Sequence, residues 1–170
     1  MTLFNRSISV DVTEEGANLR LAGVLQDTRA GNALHGIRVE MLVQPWDGLI
    51  LEISGSMPTR PMEECHPGLE SLRALLGHKI VPGFSELVRT TVGSDAGCTH
   101  LASLVMNMGN ASVLGRYSFM REHVTEESSR AAVMLDTADS LNLVNSCVCW
   151  REDGPLVRRW RKEHGERGEG

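Results

Sequence analysis

Aromatic side chains are scarce, at 4 % of the 170 residues. Long hydrophobic runs are missing as well. No apolar stretch approaches the roughly 20 residues that a membrane-spanning helix needs, so no membrane role is expected. Met1–Val12 has no basic segment followed by an apolar one, so it does not read as a signal peptide. The four cysteines are too few for a disulfide scaffold in a chain of this length. Positive charge is in deficit: 17 Lys and Arg stand against 22 Asp and Glu, a net charge of -5. A nucleic-acid binder carries the opposite sign or a strong basic patch, so no nucleic-acid partner is expected. The only basic cluster, Arg158, Arg159, Arg161 and Lys162, is diluted by Glu163, Glu166 and Glu169. Nucleotide loops, dinucleotide fingerprints, nucleophile elbows and HExxH helices are absent too, which argues against the commonest nucleotide-driven and hydrolytic chemistries.

What is present suits a globular α+β domain. Hydrophobic residues make up 41 %, enough for a core. Ser7–Val12 alternates polar and apolar with period two, as do 19–26 and 37–43, and a fourth run follows at 49–53. Pro45-Trp46-Asp47-Gly48 is a hairpin turn, Asp-Gly supplying the positive φ. This predicts an antiparallel β-meander, with Asp27 to Leu34 as a loop. After Pro58 to Pro61 the period turns helical. Helices are expected from near Pro67 to Leu76, with Gly77 as C-cap, at Pro82–Thr91, at Cys98 to about Gly109-Asn110, and at Glu126–Ala138. Leu143–Trp150, the turn Asp153-Gly154 and Leu156-Val157 suggest a late hairpin. The domain is expected to span 1–157, with 158–170 as a charged, flexible tail. In the default compartment, the cytoplasm, thiols stay reduced and act as ligands, nucleophiles or core atoms rather than bridges.

Position separates the cysteines. Cys65 and Cys98 fall at predicted helix starts, where free N–H groups and the helix dipole favour a thiolate. Each has a histidine nearby, His66 and His100, and His35 stands at the mouth of the third strand. His35, Cys65, Cys98 and His100 are therefore the candidate metal ligands, although their spacing is not that of a compact CxxC pair. Asp27 is a further candidate ligand or base, against the plainer reading of a turn residue. Cys147 and Cys149 share one face of a predicted strand and read as core. His78, His123 and His164 read as surface residues.

Several segments together carry a resemblance. Gly23-Val24-Leu25-Gln26-Asp27-Thr28, Leu34-His35-Gly36-Ile37-Arg38-Val39, Pro61–Cys65, Leu76-Gly77, Pro82-Gly83-Phe84 and Gly97-Cys98-Thr99-His100-Leu101 follow in order. Their order resembles a bacterial family catalogued as domain of unknown function 2889. Asn145–Cys149 and Asp153-Gly154-Pro155 resemble its C-terminal part. The layout is more distantly similar to the iron–sulfur cluster scaffold (NifU-like) fold. That likeness implies His35 in place of the first cluster cysteine, with Cys65 and Cys98 matching the other two. A His-for-Cys exchange disfavours a transferable cluster and suits Zn²⁺ or Fe²⁺.

The expectation is a small metalloenzyme, a lyase, hydrolase or isomerase. His35, Cys65 and Cys98, with His100, would hold one Zn or Fe ion, and Asp27 or His100 would move a proton. The substrate would be a small organic acid, phenol or acyl compound, with Arg38, Arg60 or Arg89 nearby. The alternatives are a metal or iron–sulfur cluster carrier and a metal-free protein with a cysteine nucleophile or a binding role. Exposed sheet edges leave room for a homodimer.

Overall fold

A computed structural model of the chain describes residues 1–123 and 130–165. Contacts group the chain into two compact units, Met1–Gly115 and Arg116–Gly170.

The first unit is a four-stranded antiparallel meander covered on one face. The strands β1 (Phe4–Glu15), β2 (Asn18–Arg29), β3 (Asn32–Val43) and β4 (Ile50–Thr59) lie in the order β1-β2-β3-β4. The α+β class and the meander agree with the sequence reading, but the strands run further. Asp27 to Leu34 is not a loop: only Ala30 and Gly31, both at positive φ, make the turn. The residues around them pair across it, Asp27 opposite His35 and Thr28 opposite Ala33. Leu34 is the extra residue of a β-bulge at that point. The polar residues that suggested a loop are strand residues at the sheet's end, where no apolar neighbour is required.

Alternation sets the inner face. Leu19, Leu21 and Leu25 of β2 and Ile37, Val39, Met41 and Val43 of β3 are buried, while the residues between them are more exposed. A 3-10 helix, Glu63–Leu75, follows β4. A Cβ on Gly55 would fall 2.8 Å from Leu72 and 3.1 Å from Leu69. The glycine thus lets this helix settle on β4. Helix α1 (Phe84–Thr91) follows, then α2 (Thr99–His123), which is 25 residues long. The expected stop of α2 at Gly109 does not occur. Gly109 is there for contact, since a Cβ on it would lie 2.8 Å from the Phe84 ring of α1. Gly23 plays the same part between α2 and the sheet: a Cβ would come within 2.6 Å of Met108 and 3.1 Å of Leu104. Leu101, Leu104, Val105 and Met108 of α2 are fully buried.

The second unit holds the C-terminal part of α2, then α3 (Arg130–Ser140), a 3-10 turn (Val148–Trp150) and α4 (Pro155–Gly165). Residues 126–129 of the helix expected from Glu126, and the tail beyond residue 165, lie outside the described residues. The expected late hairpin does not form. Asn142 and Asn145 take left-handed conformations (φ 54° and 64°) that break a strand. Pro155 is the first residue of α4, where its fixed φ and missing N–H fit. Cys147 and Cys149, expected in the core, are exposed. The Trp150 ring instead meets Trp160 of α4 edge-on, centroids 5.1 Å apart. His123 stacks on Phe119 and bonds its carbonyl. No helix among the described residues is long and apolar enough to cross a membrane.

Candidate functional site

The apolar rows of the inner face end in a charged one. Register places Arg6 of β1 opposite Asp27 of β2, and Asp27 opposite His35 of β3. Each is in phase with core residues of its own strand: Arg6 with Ile8 and Val10, Asp27 with Leu25 and Leu21, His35 with Ile37. The three side chains therefore converge on the helix-covered face. Asp27 is only 1 % exposed. Arg6 donates to both of its oxygens, Nε to Oδ1 at 2.7 Å and Nη2 to Oδ2 at 2.8 Å. His35 Nδ1 lies 2.9 Å from Oδ2. A carboxylate only accepts, so Nδ1 is the donor and Nε2 of the neutral ring keeps its lone pair for another partner.

The N-terminus of α2 supplies the other half. Cys98 is the residue before α2, and its carbonyl accepts the first helical bond from Ala102 N. Val92 O holds its own N–H at 2.7 Å. A Cβ on Gly97 would lie 2.0 Å from Val92 O, so only glycine permits this entry to the helix. From Cys98, helical spacing puts His100, Leu104 and Met108 on one stripe, and the latter two meet Gly23 of the sheet. His100 follows them onto the sheet and stacks on His35, with ring centroids 3.9 Å apart. Its Nε2 is 4.0 Å from Asp27 Oδ2, and its Nδ1 is 3.7 Å from Cys98 Sγ.

Arg6 controls the electrostatics. Its hydrogen bonds, more than its charge, hold the Asp27 carboxyl below the usual aspartate range against the opposing effect of burial, and His35 adds to this. Asp27 in turn raises the Arg6 pKa, and the negative form of Cys98 contributes. Burial lowers the pKa of His100 most, followed by the neighbouring His35 and Arg6, while Asp27 opposes them. The neutral form of His100, which has a nitrogen lone pair available, is thereby favoured.

Of the residues singled out in the sequence, Asp27, His35 and His100 come together, their ligating atoms all within 4.8 Å of one another. Cys98 is attached to the cluster through His100. Cys65 is in the first turn of the Glu63–Leu75 helix, as its sequence position suggested, but lies outside the cluster. Gly68, three residues further on, approaches Gly97 and Cys98 closely. Arg38 is exposed on the outer face, and Arg89 pairs with Glu86 on the α1 surface. Arg60 bonds Met57 O and Glu63. Arg6 was missed, although a signal existed: a charged residue in phase with Ile8, Val10 and Val12 needs a buried partner of opposite sign.

Fold and cluster together define a class: an α+β protein whose antiparallel sheet ends in a buried carboxylate–histidine site beneath a helix N-terminus. Residues 4–114 match the family described as Protein of unknown function (DUF2889), and the chain belongs to that family. The match covers the first unit except its first three residues and its last, and every residue of the site. Asn145–Cys149 and Asp153-Gly154-Pro155, expected to be the family's C-terminal part, lie beyond the match. No curated protein and no solved structure matches the chain.

Proposed function

We propose that this cluster is the metal centre of a small cytoplasmic enzyme. His35 Nε2 and a nitrogen of His100 would hold one Zn²⁺ or Fe²⁺ ion, and the Cys98 thiolate, 3.7 Å from His100 Nδ1 but outside the group of mutually close ligating atoms, would have to move in as third donor, leaving a position for water or substrate. Asp27, pinned by Arg6, orients His35 as the carboxylate does in carboxylate–histidine–metal arrangements. A bound ion would polarise a carbonyl or activate water, which fits lyase, hydrolase or isomerase chemistry on a small organic acid, phenol or acyl compound. The observation that carries this reading is the buried Asp27, which accepts from His35 Nδ1 while His100 stacks on the same ring. The distant likeness to iron–sulfur scaffolds supports a carrier instead, but a donor set richer in nitrogen than sulfur favours a single ion over a cluster.

The test is metal analysis of the purified chain and its uptake of Zn²⁺ and Fe²⁺. His35→Ala and His100→Ala should each weaken binding by about 10-fold or more, and Asp27→Asn by about 10-fold through loss of orientation. A chain that holds neither ion and takes up neither would overturn the proposal. The 3.7 Å approach of Cys98 Sγ to His100 Nδ1 favours one second reading, a metal-free thiol–imidazole nucleophile. Full metal uptake by Cys98→Ala, combined with loss of rapid alkylation by iodoacetamide, would favour it.

A further inference from the structure

Arg6 is a third exposed, although it is tied to a buried partner. A guanidinium has five N–H donors on two usable edges. Asp27 occupies the Nε/Nη2 edge. Nη1 makes no hydrogen bond with the described residues, so the end-on Nη1/Nη2 edge retains its donors. That edge has the spacing of a carboxylate, which it can bind with two parallel hydrogen bonds. The guanidinium carbon also lies 5.8 Å from the ring centroid of Phe4, which is 50 % exposed. One partly open cation is therefore in contact with a half-exposed aromatic ring and, through Asp27, with the His35–His100 pair.

We propose that Arg6 is the substrate anchor, and that the substrate is a small carboxylate with an apolar or aromatic body. The carboxylate binds the free edge of Arg6 and the body lies against Phe4. Asp27 then has two tasks: it orients His35, and it holds Arg6 rigid so that little side-chain entropy is lost on binding. The assignment rests on reading the cluster as a substrate centre, but it does not need the metal.

Titration calorimetry on the full-length chain, before and after treatment with a chelator, tests it with benzoate, benzamide and acetate as probes. Benzoate is expected to bind about 10-fold or more tightly than benzamide, which lacks the charge. It should also exceed acetate, which lacks the ring. Arg6→Lys keeps the charge but loses the paired edge, and should weaken benzoate at least about 10-fold. Phe4→Ala should reduce benzoate affinity towards that of acetate. Equal binding of benzoate and benzamide, or unchanged benzoate affinity in Arg6→Lys, would overturn the anchor. If Arg6→Lys does not fold, Arg6→Met with Asp27→Leu replaces the pair by apolar groups, and benzoate affinity retained in that variant would overturn it equally. Benzoate binding in a chain without metal would leave the anchor standing while the metal centre fails. Metal uptake without benzoate binding would do the reverse.

Discussion

On β2, Leu25 and Asp27 are two residues apart, point to the same side of the sheet and are 0 % and 1 % exposed. Leu25 is paired with Ile8 and Ile37 in an apolar row, and Asp27 with Arg6 and His35 in a charged one. The apolar row gains from removal of its surface from water, about 25 cal/mol per Å². The charged row must recover the desolvation of a carboxylate through a bidentate ion pair and a third hydrogen bond, and such pairs often add little net stability. A charged row sited where a longer apolar core would serve the fold as well is what the proposed metal centre would require.

Mutations should separate the two rows. Leu25→Ala should have the largest effect, costing about 2–5 kcal/mol in chemical denaturation. Asp27→Asn leaves Arg6 without its counter-charge and should cost about 3 kcal/mol, at the low end for a broken buried pair because Arg6 is partly exposed. A loss below about 1 kcal/mol would show that the pair is unimportant to the fold. Arg6→Met with Asp27→Leu extends the apolar face by one row. It is expected to be as stable as the parent or more so, while metal uptake falls, and a large destabilisation would assign the charged row to structure.

Of the two rows, only the charged one, with His100 stacked on it, should respond to acid. His100 has a folded pKa below its ordinary value of 6.5, so the unfolded chain takes up its proton first. Stability should start to fall as the pH drops through about that value. Asp27, also lowered from its ordinary 3.8, contributes stability above that value and loses it as the pH falls through the depressed folded one. Urea midpoints measured with chelator between pH 8 and 3 should show both steps, and His100→Asn should lack the first. The smallest effect belongs to Arg38→Ala on the outer face, expected within about 0.5 kcal/mol.

The sequence by itself determined the α+β class, the meander, the placing of Cys98 at a helix start and the candidacy of Asp27, His35 and His100. Each follows from local rules, the period of two against 3.6 and the chemistry of caps and turns, which neighbours along the chain obey. The sequence's turn signals misplace Asp27 in a loop because Asp, Gly and Asn also occur in the last paired residues of a sheet beside its turn. Cys147 and Cys149 were read as core because period-two spacing does not reveal the left-handed asparagines beside them. Only the tertiary structure decided that Arg6 faces Asp27, that His100 stacks on His35 and that Cys65 stays out of the cluster. Those contacts depend on strand register and on the close approach of α2 at Gly23, which join residues 21 and more positions apart through pairings that no local pattern encodes.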